Sequence, residues 1–320
     1  MNIAFAGFRH DHIFGLYNTA KGNDSFIVKG AFEADENAKS QAQGLGVDFN
    51  YDSYDQMLAD NDIDIIAIGD YYGIRGKRVI EALKHGKHVI CDKPLCTSLE
   101  ELDAIEALCK EKNLKICIML DLRYMPQTKK AKEIIASGEL GEIRIASFTG
   151  QHCLNYGVRP SWYFEDGKHG GTINDIAIHG IDLIRYITGK NLTEVNCAKT
   201  WNAFATEEPQ FKDCAQFMAH MGTMAINADV SYAAPRFDGF MPTYWSFTFW
   251  GENGMLSFRY CDNDIRIYKG KEEIITMPHR EIDYLNDFAK EIKGEAQEYI
   301  GTIDMLSSQR QTLMIQKAAH

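Results

Sequence analysis

Along the first 120 residues, short runs of uninterrupted apolar side chains alternate with amphipathic stretches. Ile3-Ala4-Phe5-Ala6, Phe26-Ile27-Val28, Ile65-Ile66-Ala67-Ile68, His88-Val89-Ile90-Cys91 and Ile116-Cys117-Ile118-Met119-Leu120 are too short for helices and too continuously apolar for half-exposed strands. The pattern predicts buried parallel strands. Between them, Ser53 with Gln56 and Ser98 with Glu101 have capping-box spacing, and Leu99, Leu102, Ile105 and Leu108 repeat at helical intervals. Gly86 and Gly138 stand where a helix end needs positive φ. Strand and helix alternating in this way wind right-handed, with helices on both faces of the sheet, which is a doubly wound α/β fold.

Beyond residue 122 the period changes. One strong helix is expected from about Ile176 to Thr188, stopped by Gly189. Period-two segments follow: Trp245, Phe247 and Phe249 alternate with Ser246 and Thr248, then after the turn Gly251-Glu252-Asn253-Gly254 come Leu256 and Phe258, and later Ile265 and Ile267. This predicts a large, mostly antiparallel sheet with one buried face. A closing helix is marked by Ile282, Leu285, Phe288 and Ile292 and ended by Gly294. The expected domains are 1–121, the doubly wound α/β part, and 122–320, an α/β part built on the large open sheet.

Charge narrows the class of partner. Lys and Arg number 34 against 45 Asp and Glu, a formal net charge of −11. That is the wrong sign for neutralising phosphates, so nucleic acid and anionic membrane are not expected partners. No apolar run approaches the roughly 20 residues that cross a bilayer, and MNIAFAGFRH has no basic region before its short apolar stretch. The eight cysteines lack a CxxC pair and several lie in apolar runs. They read as reduced core residues of a cytoplasmic protein.

The turn after the first strand is Gly7-Phe8-Arg9-His10-Asp11-His12. A dinucleotide-binding turn carries G-x-G-x-x-G, because its backbone approaches a pyrophosphate that rests on the next helix's free N–H groups. Here only the first glycine stands, with Arg9 and His12 in the places of the others. The context keeps the reading: an apolar strand precedes the loop, a helix follows, and Glu33 closes the second strand 21 residues past His12, where an acid accepts hydrogen bonds from a ribose 2′-OH. An acid there repels a 2′-phosphate and Ala34 supplies no cation, so NAD is favoured over NADP. Arg9 is expected to neutralise a phosphate oxygen in place of the missing backbone approach. His10-x-His12 lacks the further ligands of a zinc site, and no metal is expected.

Two further segments carry chemistry. The fourth strand ends in Cys91-Asp92-Lys93-Pro94, which delivers Lys93 to the carboxyl end of the sheet, where open α/β folds bind ligands. Pro94 biases Lys93 toward an extended backbone. Gly170-Gly171-Thr172-Ile173-Asn174-Asp175-Ile176-Ala177-Ile178-His179-Gly180-Ile181-Asp182 places Asp175 and His179 four apart in an apolar helix, hence on one face. Asp182 continues that face and is expected to orient His179 or a helix end.

Asp92-Lys93-Pro94 resembles the Glu-Lys-Pro motif of the Gfo/Idh/MocA family of glucose-fructose oxidoreductase and inositol dehydrogenase relatives. The run Gly170-Gly171…Asp175…His179…Asp182, with Gly189 closing its helix, resembles that family's second motif. Arg123-Tyr124-x-Pro126 and Gly138-x-x-Gly141 fall where the family has Arg-aromatic-x-Pro and Gly-x-x-Gly segments. The resemblance implies an N-terminal Rossmann domain, a C-terminal α/β domain whose open sheet builds a homodimer or homotetramer, a nicotinamide cofactor, and hydride transfer at a carbon of a sugar, cyclitol or related polyol. The sequence departs from the family in its glycine loop, in Asp92 for Glu, and in Ile68-Gly69-Asp70-Tyr71-Tyr72-Gly73-Ile74-Arg75 for a stretch with Thr-Pro-Asn and a His.

On this reading Lys93, Asp175 and His179 are catalytic. His179 is the general base, since an imidazole with a pKa of about 6.5 accepts a proton at neutral pH. Lys93 hydrogen-bonds the same oxygen and stabilises its developing charge. Asp175 binds a substrate hydroxyl or orients His179. Gly7, Phe8, Arg9, His10, His12, Glu33, Asp70, Tyr71 and Lys93 are the expected cofactor contacts. Arg123, Arg159, Trp162 and Tyr163 join Asp175 and His179 as substrate contacts. Two alternatives share the fold: NAD-assisted glycoside cleavage through a transient keto sugar, and a regulatory member that senses cofactor or sugar without turnover.

Overall fold

Each of the five apolar runs falls in or at a strand of one parallel sheet. The structure is a computed structural model that describes residues 1–238, 241, 244–278, 282–296 and 301–319. Its elements run β1 (Asn2–Ala6), α1 (His12–Lys21), β2 (Ile27–Phe32), α2 (Glu36–Gly44), α3 (Tyr54–Ala59), β3 (Ile65–Ile68), α4 (Tyr72–Lys84), β4 (His88–Cys91), α5 (Leu99–Lys112) and β5 (Ile116–Ile118). The strand order is β2-β1-β3-β4-β5, all parallel, so the order reverses between β1 and β3. Dinucleotides bind at such a switch point, outside the carboxyl ends of the strands. Ser53 and Ser98 accept from the backbone N–H groups of Gln56 and Glu101, as the capping-box spacing predicts.

The chain continues with a 3₁₀ turn at Asp121–Tyr124, α6 (Pro126–Ala136), β6 (Ile143–Cys153), a π-helical turn at Ile173–Ala177, and α7 (Ile178–Thr188), which ends at Gly189 in the left-handed conformation. Then come β7 (Glu194–Trp201), β8 (Cys214–Met221), β9 (Met224–Ala234), β10 (Ser246–Gly251), β11 (Gly254–Arg259), β12 (Asp264–Lys269), β13 (Lys271–Thr276), α8 (Tyr284–Ile292) and α9 (Thr302–Ala318). The eight strands β6 to β13 form one sheet in the order β13-β12-β11-β10-β6-β9-β8-β7, antiparallel except where β6 meets β9. The period-two reading holds: Phe247, Phe249, Leu256, Phe258, Ile265 and Ile267 are all buried. Full burial of such side chains contributes about 1.5–3 kcal/mol each.

Two compact units result, Met1–Met119 with Gly167–Gly170 and Asp283–Gln309, and Leu120–Asp166 with Gly171–Ile282 and Arg310–His320. A single cut at 121 therefore omits the return of α8 and the first half of α9 to the Rossmann unit. That return is anchored by Ile116 N–H donating to Thr302 Oγ1 at 2.9 Å and Leu95 N–H donating to Gln309 Oε1 at 2.9 Å. Sequence pattern marks such a helix but not the sheet it packs on.

All eight cysteines carry free thiols; five are buried, Cys153 is half-buried, and Cys197 and Cys261 are exposed rather than in the core. No helix among the described residues is long and apolar enough to cross a membrane.

Candidate active site

Lys93 belongs to the first unit, Asp175 and His179 to the second. In the first unit the β1 turn is pulled onto the β3 turn. Arg9 and His10 N–H groups both donate to Gly69 O, at 3.1 and 3.2 Å, and Phe8 N–H donates to Glu33 Oε2 at 2.6 Å. Gly7 has φ +84°, and a Cβ there would lie 2.6 Å from the Asp70 backbone nitrogen, so this approach admits only glycine.

Glu33 is buried and serves the loop, its other oxygen accepting from Asp35 N–H at 2.9 Å. Burial and then the charge of Asp70 push its carboxyl up from the ordinary glutamate value. Arg9 lies 3.5 Å from Asp35 and over the Tyr71 ring, so a cation does stand near the end of β2, which the neighbours of Glu33 in sequence do not reveal. Phe8 is core, packed on Phe5, Phe14, Tyr17 and Phe49. Asp70 accepts from Arg78 at 2.8 Å.

Asp92 is the hub. Fully buried, it receives His10 Nδ1 at 2.5 Å and Arg75 at 3.0 Å on Oδ2, and His12 Nδ1 at 3.0 Å on Oδ1. Burial works against its ionisation, yet the partners that surround it, His10, Arg75 and His12, hold its carboxyl well below the ordinary range. Burial in turn pulls the His10 imidazole down to about 3 despite Asp92, so at neutral pH the ring is neutral and donates from Nδ1. The three possible ligand atoms lie within 4.8 Å of one another, which supplies the third donor that His10-x-His12 lacks in sequence. A guanidinium already meets the Asp92 charge, and a divalent ion would stand beside it. The arrangement is a latch that ties the β1 turn to the end of β4.

Arg75, buried and missed by the sequence reading, does the rest. Its Nε donates to Asp70 O at 2.7 Å and its Nη1 to Asp92 O at 2.9 Å and Lys93 O at 2.6 Å, fixing the backbone that carries Lys93. The signal was present: Arg75 shares the buried face of α4 with Tyr72, Gly76 and Val79. Lys93 itself is buried, over the Tyr72 ring, which also meets His10 and His169.

Within the second unit, His179 follows the π turn rather than lying in one continuous α-helix with Asp175. Gln316 Oε1 accepts from Ile173 and Asn174 N–H at 3.0 and 3.2 Å and so starts this segment. Asp175 accepts from the Tyr232 hydroxyl. Burial and the Asp175 charge raise the Tyr232 phenol, which stays protonated. Arg159 stacks over Tyr163 and Tyr232 and donates to Leu154 O and Cys153 O, both at 2.8 Å. Trp162 and Tyr163 are buried and stacked at 4.1 Å, core walls of the unit.

The expected partner of His179 is corrected. Asp182, expected to orient His179 or a helix end, binds the Arg123 guanidinium, and both side chains are buried. The carboxylate beside His179 is Asp121, with Oδ1 3.2 Å from Nδ1. It opens the turn at the carboxyl end of β5, the place in an open sheet where an acid earns notice.

Two features fit a dinucleotide. The Gly7 turn lies at the β1/β3 switch point, with positive φ and a backbone approach that only glycine allows. Asp11 makes no capping hydrogen bond to α1, whereas Asp35, Ser53 and Ser98 cap their helices. A helix start without a side-chain cap suits a phosphate.

Comparison with known proteins agrees. A family model described as "Oxidoreductase family, NAD-binding Rossmann fold" matches residues 3–119, and one described as "GFO/IDH/MocA C-terminal domain" matches 128–257. The chain is 32% identical over 172 residues to levoglucosan dehydrogenase of Pseudarthrobacter phenanthrenivorans, covering 52% of this chain and 43% of that protein. It is 32% identical over 162 residues to scyllo-inositol 2-dehydrogenase (NAD(+)) of Bacillus subtilis, covering 50% and 45%. The matches thus span less than half the length of these relatives. The crystal structure of an oxidoreductase from Erwinia carotovora atroseptica superposes with a TM-score of 0.89 at 23% identity, over 100% of this chain and 99% of that one, which shows a shared fold.

Proposed function

The chain belongs to the Gfo/Idh/MocA oxidoreductase family, and from that premise we propose that it transfers hydride between NAD and a secondary alcohol of a sugar, cyclitol or related polyol. The observation that carries the reading is the preparation of Lys93: a buried ammonium at the carboxyl end of β4, its own carbonyl pinned by a buried guanidinium. A lysine merely solvated in a turn needs neither.

Gly7, Arg9 and the start of α1 would hold the pyrophosphate, with Glu33 at the ribose end. NAD, when bound, would supply the acceptor for the hydride of the carbinol carbon. As that C–H bond breaks, the hydroxyl proton passes to His179 and a carbonyl forms. Lys93 donates a hydrogen bond to the same oxygen and stabilises charge that develops there. Asp175, tied to Tyr232, receives a second substrate hydroxyl. The open face of the eight-stranded sheet carries Ile145, Met218, Trp250 and Tyr268 exposed, which supports assembly as a homodimer or homotetramer through that face.

A polyol and sugar panel followed at the NADH absorbance tests the reading. Lys93→Met and His179→Ala should abolish turnover yet keep most NADH binding by fluorescence titration. Full turnover in both variants, or no NADH formed from any polyol, overturns it. NAD-assisted glycoside cleavage would instead release aglycone with no net NADH.

A further inference from the structure

His179 is 6% exposed, and a buried imidazole that is to take a proton needs its ring fixed and its proton kept on one nitrogen. In the second unit three carboxylates stand near enough in sequence or space to do this. Asp175 is bound by the Tyr232 hydroxyl. Asp182 has both oxygens on the Arg123 guanidinium. Asp121 has Oδ1 3.2 Å from His179 Nδ1. That contact is within ion-pair reach but outside good hydrogen-bond alignment, and Nδ1 has no aligned partner among the described residues. Such bonds are often loose before substrate arrives and tighten in the complex.

The surroundings restrict the ring to this arrangement. Trp245 meets the imidazole edge to face, with centroids 5.5 Å apart. Among the described residues the charged and titratable groups gathered there are Asp121 from the 3₁₀ turn, His152 from β6, Tyr244 and Tyr260 from the segments flanking β10 and β11, and Asp175 from the π turn. Burial, then the Asp121 charge, raises both of these phenols, so Asp121 is the anion that this wall faces. Gly180 lets the helix close on β6, since a Cβ there would lie 2.2 Å from the Phe148 ring.

We propose that Asp121 is the positioning residue of the reaction: it holds the His179 proton on Nδ1, leaves Nε2 to accept the alcohol proton, and stabilises the imidazolium that forms. This rests on the proposed dehydrogenase activity only for its kinetic consequence; the tautomer it imposes is a property of the protein alone. The logic is that of a buried acid orienting a catalytic histidine.

Nitrogen NMR of the protein labelled in histidine reads the tautomer directly. The wild type should hold the neutral ring as Nδ1–H, and Asp121→Asn, whose amide can present either a donor or an acceptor, should shift the population toward Nε2–H. In turnover assays Asp121→Asn should lower kcat by at least about tenfold with KM little changed. Asp121→Glu should restore part of the rate and the wild-type tautomer. If the asparagine variant fails to fold, Asp121→Ser carries the same measurements. An unchanged tautomer in the folded variant overturns the proposal even if the enzyme is active. The predicted tautomer shift without any polyol turnover would sustain it while removing the dehydrogenase reading.

Discussion

Arg123 donates from Nε to Asp182 Oδ2 at 2.6 Å, and each side chain is only 1% exposed. Two charges taken this far from water are stable only as a pair. Asp182→Leu or Arg123→Met alone should cost about 3–5 kcal/mol, because each strands a buried charge, whereas the double variant carrying both apolar residues should cost much less than the sum. Denaturant midpoints of the four proteins form the cycle; additive losses would show that the pair is not coupled.

Arg75 fixes the carbonyls of Asp92 and Lys93 from within α4. Arg75→Lys keeps one charge but loses the fork that reaches several acceptors. The lysine it positions should drift, and a displacement of about 1 Å costs roughly a hundredfold in rate. We expect kcat to fall on that scale, with NADH affinity by fluorescence changed far less.

The β1 turn offers an internal control. Gly7→Ala forces positive φ and a 2.6 Å clash with Asp70, and should abolish NADH binding with a lowered thermal midpoint. Gly15→Ala, in α1 with nothing within 4 Å of the new Cβ, should keep binding and gain up to about 1 kcal/mol from helix propensity. Equal effects at the two sites would contradict the cradle.

Acid sensitivity follows from the latch at Asp92. His10 takes a proton at about 3 in the fold against 6.5 for an ordinary histidine, so between these values the unfolded chain holds the extra proton. Stability is therefore full above about pH 6.5 and declines as pH falls toward about 3, by at most about 1.4 kcal/mol per pH unit from this group. His10→Gln should flatten that window in urea titrations run at several pH values.

Much of this was legible in the sequence and some was not, for a physical reason. Period and punctuation gave β3 and β4 to the residue, because a buried strand writes its burial into consecutive positions. Lys93 and His179 were singled out because short motifs put them at strand and helix ends. Arg75–Asp92, Asp121–His179 and Asp175–Tyr232 were missed because each joins residues 17 to 58 apart, and local pattern says which side a residue faces but not whom it meets. Asp121 was noticed only as a change of period. The π turn at Ile173–Ala177 is equally silent, since one extra residue per turn leaves an apolar run apolar.

Gln316 caps the segment that carries Asp175 and His179 from some 140 positions further along the chain. A ribosome that has made Asp175 and His179 has still to make the glutamine that seats their segment. The segment that carries them therefore takes this seat only once α9 has been made.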